Sequence, residues 1–70
     1  MKVERQTVAE HITAADPIGH RGYTEITCTD ENNLMLFHGL IELPSHAEPA
    51  DYRKAEAALS AAARAIGLEI

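Results

Sequence analysis

The chain has 70 residues, a formal net charge of −5 and one cysteine. We expect residues 1–70 to form a single small domain, because a chain of this length cannot support two hydrophobic cores. Cys28 cannot form an intrachain disulfide, and its isolation favours a reducing, cytoplasmic location. The first residues carry no apolar run, so we expect neither a secretory signal nor a membrane partner.

Charge of one sign dominates the middle of the chain. No lysine or arginine lies between Arg21 and Arg53, while carboxylates recur through that stretch. They are Glu25, Asp30, Glu31, Glu42, Glu48 and Asp51. Such a segment either keeps the protein soluble or attracts the basic surface of a protein partner, and it repels nucleic acid.

The amino-terminal segment fits two structures. Thr7-Val8-Ala9-Glu10 matches a capping box, and Val8, Ile12 and Ala15 then fall on one helical face. The same residues can instead form a strand that leads into a glycine-containing turn at positions 19–22. We predict the short helix over this segment, with the strand as the alternative for residues 2–15.

A β-hairpin is predicted next. Tyr23 to Thr29 is rich in β-formers, Leu34 to Leu43 is strongly apolar, and the four residues between them read Asp-Glu-Asn-Asn. The second strand is apolar on both faces, because Met35, Phe37 and Ile41 alternate with a second apolar set. That second set is Leu34, Leu36 and Leu40. A helix can cover only one face, so we expect the second set to meet the amino-terminal segment, another copy or a partner.

A long helix is predicted at the carboxyl end. Ala50 to Ile66 is rich in alanine, Pro49 suits the first helical position, and Gly67 is a typical stop. The predicted buried stripe is Tyr52, Ala55, Leu59, Ala62 and Ile66. Together the elements predict an α+β fold, in which a short N-terminal helix and a long C-terminal helix accompany an antiparallel β-hairpin, as a homodimer.

Residues with reactive or metal-binding side chains form no recognisable site. His20, Cys28, His38 and His46 are donors of the right type, but their separations match no compact ligand pair. Cys28 lies in a predicted strand within an acidic stretch, an environment typical of a packed, unreactive thiol. We therefore predict no catalytic residue, no metal and no cofactor, and we expect the protein not to be an enzyme.

One glycine motif resembles a known loop. Gly19-His20-Arg21-Gly22 resembles the phosphate-clamping loop of KH-type nucleic-acid-binding domains. The resemblance covers four residues and implies a KH-like nucleic-acid-binding module. In that family the second glycine opens a helix, whereas residues 23–29 here favour a strand, and the negative net charge opposes phosphate binding. A plain loop with permissive glycine dihedrals is the alternative.

In length and charge the chain is similar to small acidic proteins that inhibit nucleic-acid-processing complexes, including phage-encoded anti-CRISPR proteins. This likeness of size and composition implies a viral, non-enzymatic inhibitor that acts by protein-protein contact. The expected partner-binding residues are Glu25, Asp30, Glu31 and Glu42. The alternative is a structural or regulatory homo-oligomeric domain whose carboxylates only maintain solubility.

Overall fold

The computed structural model describes residues 1–11, 14–15, 19 and 21–70. Within these residues, a three-stranded antiparallel sheet is covered on one face by a C-terminal helix. The strands are β1 (Lys2–Val8), β2 (Tyr23–Thr29) and β3 (Met35–Glu42), with β2 in the centre, and the helix is α1 (Pro49–Ala65). The predicted α+β class, hairpin and long C-terminal helix are thus confirmed.

The predicted N-terminal helix is wrong for the described residues, because Lys2–Val8 is strand β1. This strand pairs with β2 along its whole length, from Lys2 opposite Thr29 to Val8 opposite Tyr23. The Thr7 hydroxyl lies 3.2 Å from the Thr24 hydroxyl across the sheet and caps no helix. A short isolated helix is marginal in water, whereas pairing with β2 satisfies a row of backbone groups. Residues 12 and 13 of the predicted helix lie outside the described residues.

The turn between β2 and β3 is held by Asp30. Its Oδ1 atom accepts hydrogen bonds from the backbone N–H groups of Asn32, at 2.8 Å, and Leu34, at 2.9 Å. Asn33 has a φ of 61°, a left-handed conformation that asparagine tolerates better than most residues. The Asp-Glu-Asn-Asn segment therefore closes the hairpin as predicted.

A β-bulge in β3 changes the predicted side-chain alternation. Cys28 pairs with Phe37, but the next residue of β2, Thr29, pairs with Met35, so Leu36 is the extra residue. Paired residues project to the same face of a sheet, so Met35 shares the face of Thr29 and not that of Phe37. The prediction that Met35, Phe37 and Ile41 share one face is therefore wrong for Met35, which is 63% exposed.

Helix α1 packs on β2 and β3 through a row of small residues and Leu59. Its buried residues are Ala55, Leu59, Ser60 and Ala63. Leu59 contacts the core residues Ile26 and Cys28, with Phe37 and Ile41 at the margin. The helix begins where the Asp51 carboxylate accepts the Glu48 N–H at 2.9 Å, and it ends before Gly67, whose φ is 99°.

Two members of the predicted helix stripe, Ala62 and Ile66, are exposed instead of buried. The row that faces the sheet runs through Ala55, Leu59 and Ala63 at intervals of four residues, so positions 62 and 66 lie to one side of it. Gly67 then turns the chain, and Leu68 and Ile70 pack against the core instead of Ile66.

Candidate protein-binding surface

One face of the sheet has no helix over it. On β2, the helix-facing side chains of Thr24, Ile26 and Cys28 are at most 1% exposed, whereas the alternate residues of β2 are only partly buried. The radius of gyration is 14.0 Å, whereas about 11 Å is typical of a compact chain of this length. The molecule is therefore a thin, two-layer structure.

We call the side opposite α1 the open face. The alternation of β2 and the pairing of its neighbours assign its central residues. They are Glu4, Gln6, Val8, Tyr23, Glu25, Thr27, His38, Leu40 and Glu42.

The open face brings together two sets of residues that are separate in the sequence. Leu40 lies directly opposite Glu25 in the pairing of β2 with β3, and Glu42 follows two positions along the same face. Leu40 is 47% exposed, and Leu36, the extra residue of the bulge in β3, is 41% exposed. Two of the four predicted partner-binding carboxylates, Glu25 and Glu42, thus share this face with one of the three predicted apolar residues, Leu40.

Glu25 also forms a cross-strand pair with His38 that the sequence analysis missed. The Nε2 atom of His38 lies 2.7 Å from an Oε atom of Glu25, and both side chains remain partly exposed. The two residues are diagonal neighbours, because His38 lies opposite Thr27. Only the strand register could have revealed this pair. The contact directs the Glu25 carboxylate toward β3 and the leucines beside it.

Some carboxylates of the open face form ion pairs within the chain and others do not. Near the start of β1, the Lys2 ammonium lies 2.8 Å from the Glu4 carboxylate, and this contact raises the pKa of Lys2. The Glu42 carboxylate, at the other end of β3, forms no ion pair within the described part of the chain. Glu42 is therefore the open-face carboxylate without an ion pair in the described structure, and Arg21 lines a pocket together with it.

The remaining predicted site residues lie at the tip of the hairpin and differ in their roles. The Asp30 carboxylate is engaged by the turn, whereas Glu31 is exposed at the tip. Leu34 follows the turn and is 64% exposed. Glu31 and Leu34 are thus free to meet a partner, while Asp30 holds the loop that presents them.

The donors considered for a metal site are dispersed. Cys28 is buried beneath α1, and His38 lies on the open face, so the two side chains project to opposite sides of the sheet. The side chain of His46 is 95% exposed, and His20 lies outside the described residues. Among the described residues, no group of three or more histidine, cysteine or carboxylate side chains could hold a metal ion.

The loop that resembles a KH motif is followed by a strand. β2 begins at Tyr23, directly after Gly22, so the helix that follows the second glycine in KH domains is replaced by a strand here. A Cβ atom on Gly22 would overlap the Tyr52 hydroxyl. Gly22 therefore permits close packing against α1. His20, in the middle of the motif, lies outside the described residues.

A cavity of about 500 Å³ lies beside the start of α1 and was not predicted. Glu10, Tyr52 and Glu56 are among its lining residues. The Glu10 carboxylate accepts the His46 backbone N–H at 2.8 Å, and this bond, with one from Ser45, lowers the pKa of Glu10. Glu56 lies 3.2 Å from the guanidinium of Arg5. Glu56 is thus paired within the protein, whereas the Oε1 atom of Glu10 is buried and has no hydrogen-bond partner in the described structure. The cavity offers a ligand this one unpartnered atom, while the open face presents exposed carboxylates and leucines together, so the open face is the stronger candidate.

Comparisons of the chain with protein-family models, with curated proteins and with solved structures found no match. Within the described residues, no helix is both long enough and apolar enough to cross a membrane. The open face is therefore the basis on which a function can be argued.

Proposed function

We propose that this chain is a non-enzymatic binding protein that docks through its open face on a basic surface of a larger protein. The supporting observation is the position of Leu40 directly beside Glu25 and on the same face as Glu42. Burying exposed leucines against a partner removes them from water and so favours binding. This contribution does not depend on the charge of the partner. The carboxylates around them select a partner with lysine or arginine at its contact surface.

We further propose that the partner belongs to a nucleic-acid-processing complex and that binding inhibits it, as expected for a small acidic protein of phage anti-CRISPR size and charge. A basic groove that binds phosphates is a surface that an acidic protein can occupy in competition with nucleic acid. The buried, unpaired Cys28 favours the cytoplasm as the place of action.

The experiment compares two charge reversals of equal size. Glu42→Lys changes the open face, and Glu69→Lys makes the same change at an exposed site near the carboxyl terminus, beyond α1. The wild-type chain and both variants are immobilised and exposed to phage-infected host lysate. The bound proteins are then purified and tested for nucleic-acid binding with and without the chain.

We expect a basic protein to be retained by the wild-type chain and by Glu69→Lys but lost with Glu42→Lys. The purified partner should release its nucleic acid when the wild-type chain is added. Equal retention by both variants would contradict the role of the open face. Retention of a partner whose nucleic-acid binding is unchanged would contradict inhibition while leaving the binding function intact.

A further inference from the structure

The two outer strands of the sheet differ in how their free edges are protected. β1 carries Lys2, Glu4 and Arg5, and charged side chains on an edge strand discourage pairing with another chain. β3 carries no lysine, arginine, aspartate or glutamate from Met35 to Ile41. Its only irregularity, the bulge at Leu36, leaves the ladder regular from Phe37 to Glu42. The edge of β3 is therefore open to pairing.

We propose that a second copy of this chain pairs with that edge, β3 antiparallel to β3, so that two sheets become one. The two-fold axis of such a dimer is perpendicular to the sheet, which places both α1 helices on one side and both open faces on the other. Because edge pairing leaves the faces of the sheets uncovered, the inference does not depend on the partner proposed above.

The sequence of β3 is self-complementary in this arrangement. We place Gly39 of one copy opposite Gly39 of the other. In this register Phe37 lies opposite Ile41 of the second copy, and His38 lies opposite its Leu40. Aromatic and β-branched residues are favourable cross-strand partners. The regular part of this pairing ends at Phe37 and Ile41, so Glu42 lies beyond it, and no carboxylate of β3 faces a carboxylate of the other β3. A chain with a net charge of −5 can thus approach its own copy through its least charged strand.

The exposed area of the chain is also consistent with a missing partner. Its accessible surface is 4900 Å², whereas a folded monomer of this mass exposes about 4300 Å². The excess of roughly 600 Å² approaches the roughly 800 Å² that each partner buries in a standard interface.

The test is sedimentation of the purified chain at several concentrations, without any partner. Leu40→Lys places a charge near the centre of the proposed interface. Gln6→Lys is the matched control, because Gln6 lies on the same face of the sheet but on the opposite outer strand, β1. We expect the wild-type chain and Gln6→Lys to dimerise and Leu40→Lys to sediment as a monomer.

Hydrogen exchange of the wild-type amides provides a measurement that needs no variant. Amides on the free edge of β3 should exchange more slowly as concentration rises, while those of the β1 edge should not change. A wild-type monomer at high micromolar concentration would overturn the proposal. So would a dimer in which β3 amides gain no protection, since another surface would then join the copies.

Discussion

Gly39 and Leu59 lie so close that a Cβ atom on the glycine would be 2.6 Å from the Cδ2 atom of the leucine. The same Cβ would be 2.9 Å from the ring of Phe37. The absent side chain of Gly39 is therefore what lets α1 seat its main apolar residue on the middle of β3. The burial of Leu59, which is 7% exposed, depends on this space.

Gly39→Ala should destabilise the fold for this reason. Overpacking a buried site lowers the unfolding free energy by about 1–3 kcal/mol. This loss exceeds the stabilisation of about 0.5–1 kcal/mol that replacing a glycine within a strand by alanine can provide. Urea unfolding of the wild-type chain, both single variants and the double variant with Leu59→Ala measures the coupling. The Gly39→Ala cost should shrink when Leu59 is truncated. An equal cost in both backgrounds would show that the two residues do not interact.

Leu59→Ala should cost about 2–5 kcal/mol in unfolding free energy, because the side chain is buried against Ile26 and Cys28. Ile66→Ala is the matched control at the end of the helix, where the side chain is 63% exposed. Its cost should stay within roughly 0.5 kcal/mol. Chemical denaturation of both variants provides the comparison. Similar losses in the two would mean that Ile66 belongs to the core.

Local signals explain why the hairpin and the helix could be predicted. The Asp30 to Asn33 turn and the start of α1 use side chains within a few residues of the backbone groups that they bind. Strand β1, the alternative given for residues 2–15, could not be preferred over a helix in the same way, since its partner β2 lies 15 or more residues away. Its helix-facing row, Val3, Arg5 and Thr7, contains only one apolar residue and gives no clear alternation.

The candidate site was predictable in its composition but not in its geometry. The acidic and apolar residues were visible in the sequence, but their meeting on one face depends on the pairing of Glu25 with Leu40. The bulge at Leu36 shifts that register by one residue near the turn, which also explains the error over Met35. The contact between His38 and Glu25 follows from the same register.

Asp30 and Glu31 are adjacent carboxylates that should behave differently. Asp30→Ala removes the acceptor of two backbone hydrogen bonds and should cost about 0.5–2 kcal/mol, as the loss of a comparable cap does. Glu31→Ala should change stability by less than about 0.5 kcal/mol, because its side chain is exposed. Thermal and urea unfolding test both. If Glu31 were the costlier change, the turn would not be held as described.

Glu10 should make stability depend on acid pH. Hydrogen bonds from His46 and Ser45 hold its folded-state pKa below the ordinary value of 4.5. The ionised form therefore favours the folded state, and its contribution is present above pH 4.5 and is lost as the pH falls through the lower, folded-state pKa. Urea midpoints measured from neutral to acid pH should fall less steeply for Glu10→Gln than for the wild-type chain. Glu69→Gln, at an exposed control site, should retain the wild-type slope.

The open face should control how fast a basic partner associates. Reversing Glu31 and Glu42 to lysine should leave the unfolding free energy nearly unchanged, because neither carboxylate forms an ion pair in the described structure. The association rate of the wild-type chain with its purified partner should fall as salt rises, since ions screen long-range attraction. The double reversal should associate slowly at low salt and show little further salt dependence.

Leu40→Ala should instead raise the dissociation rate, because it removes apolar contact and no charge. Association that is indifferent to salt and to both reversals would leave the leucines of β3 as the binding surface and remove the requirement for a basic partner.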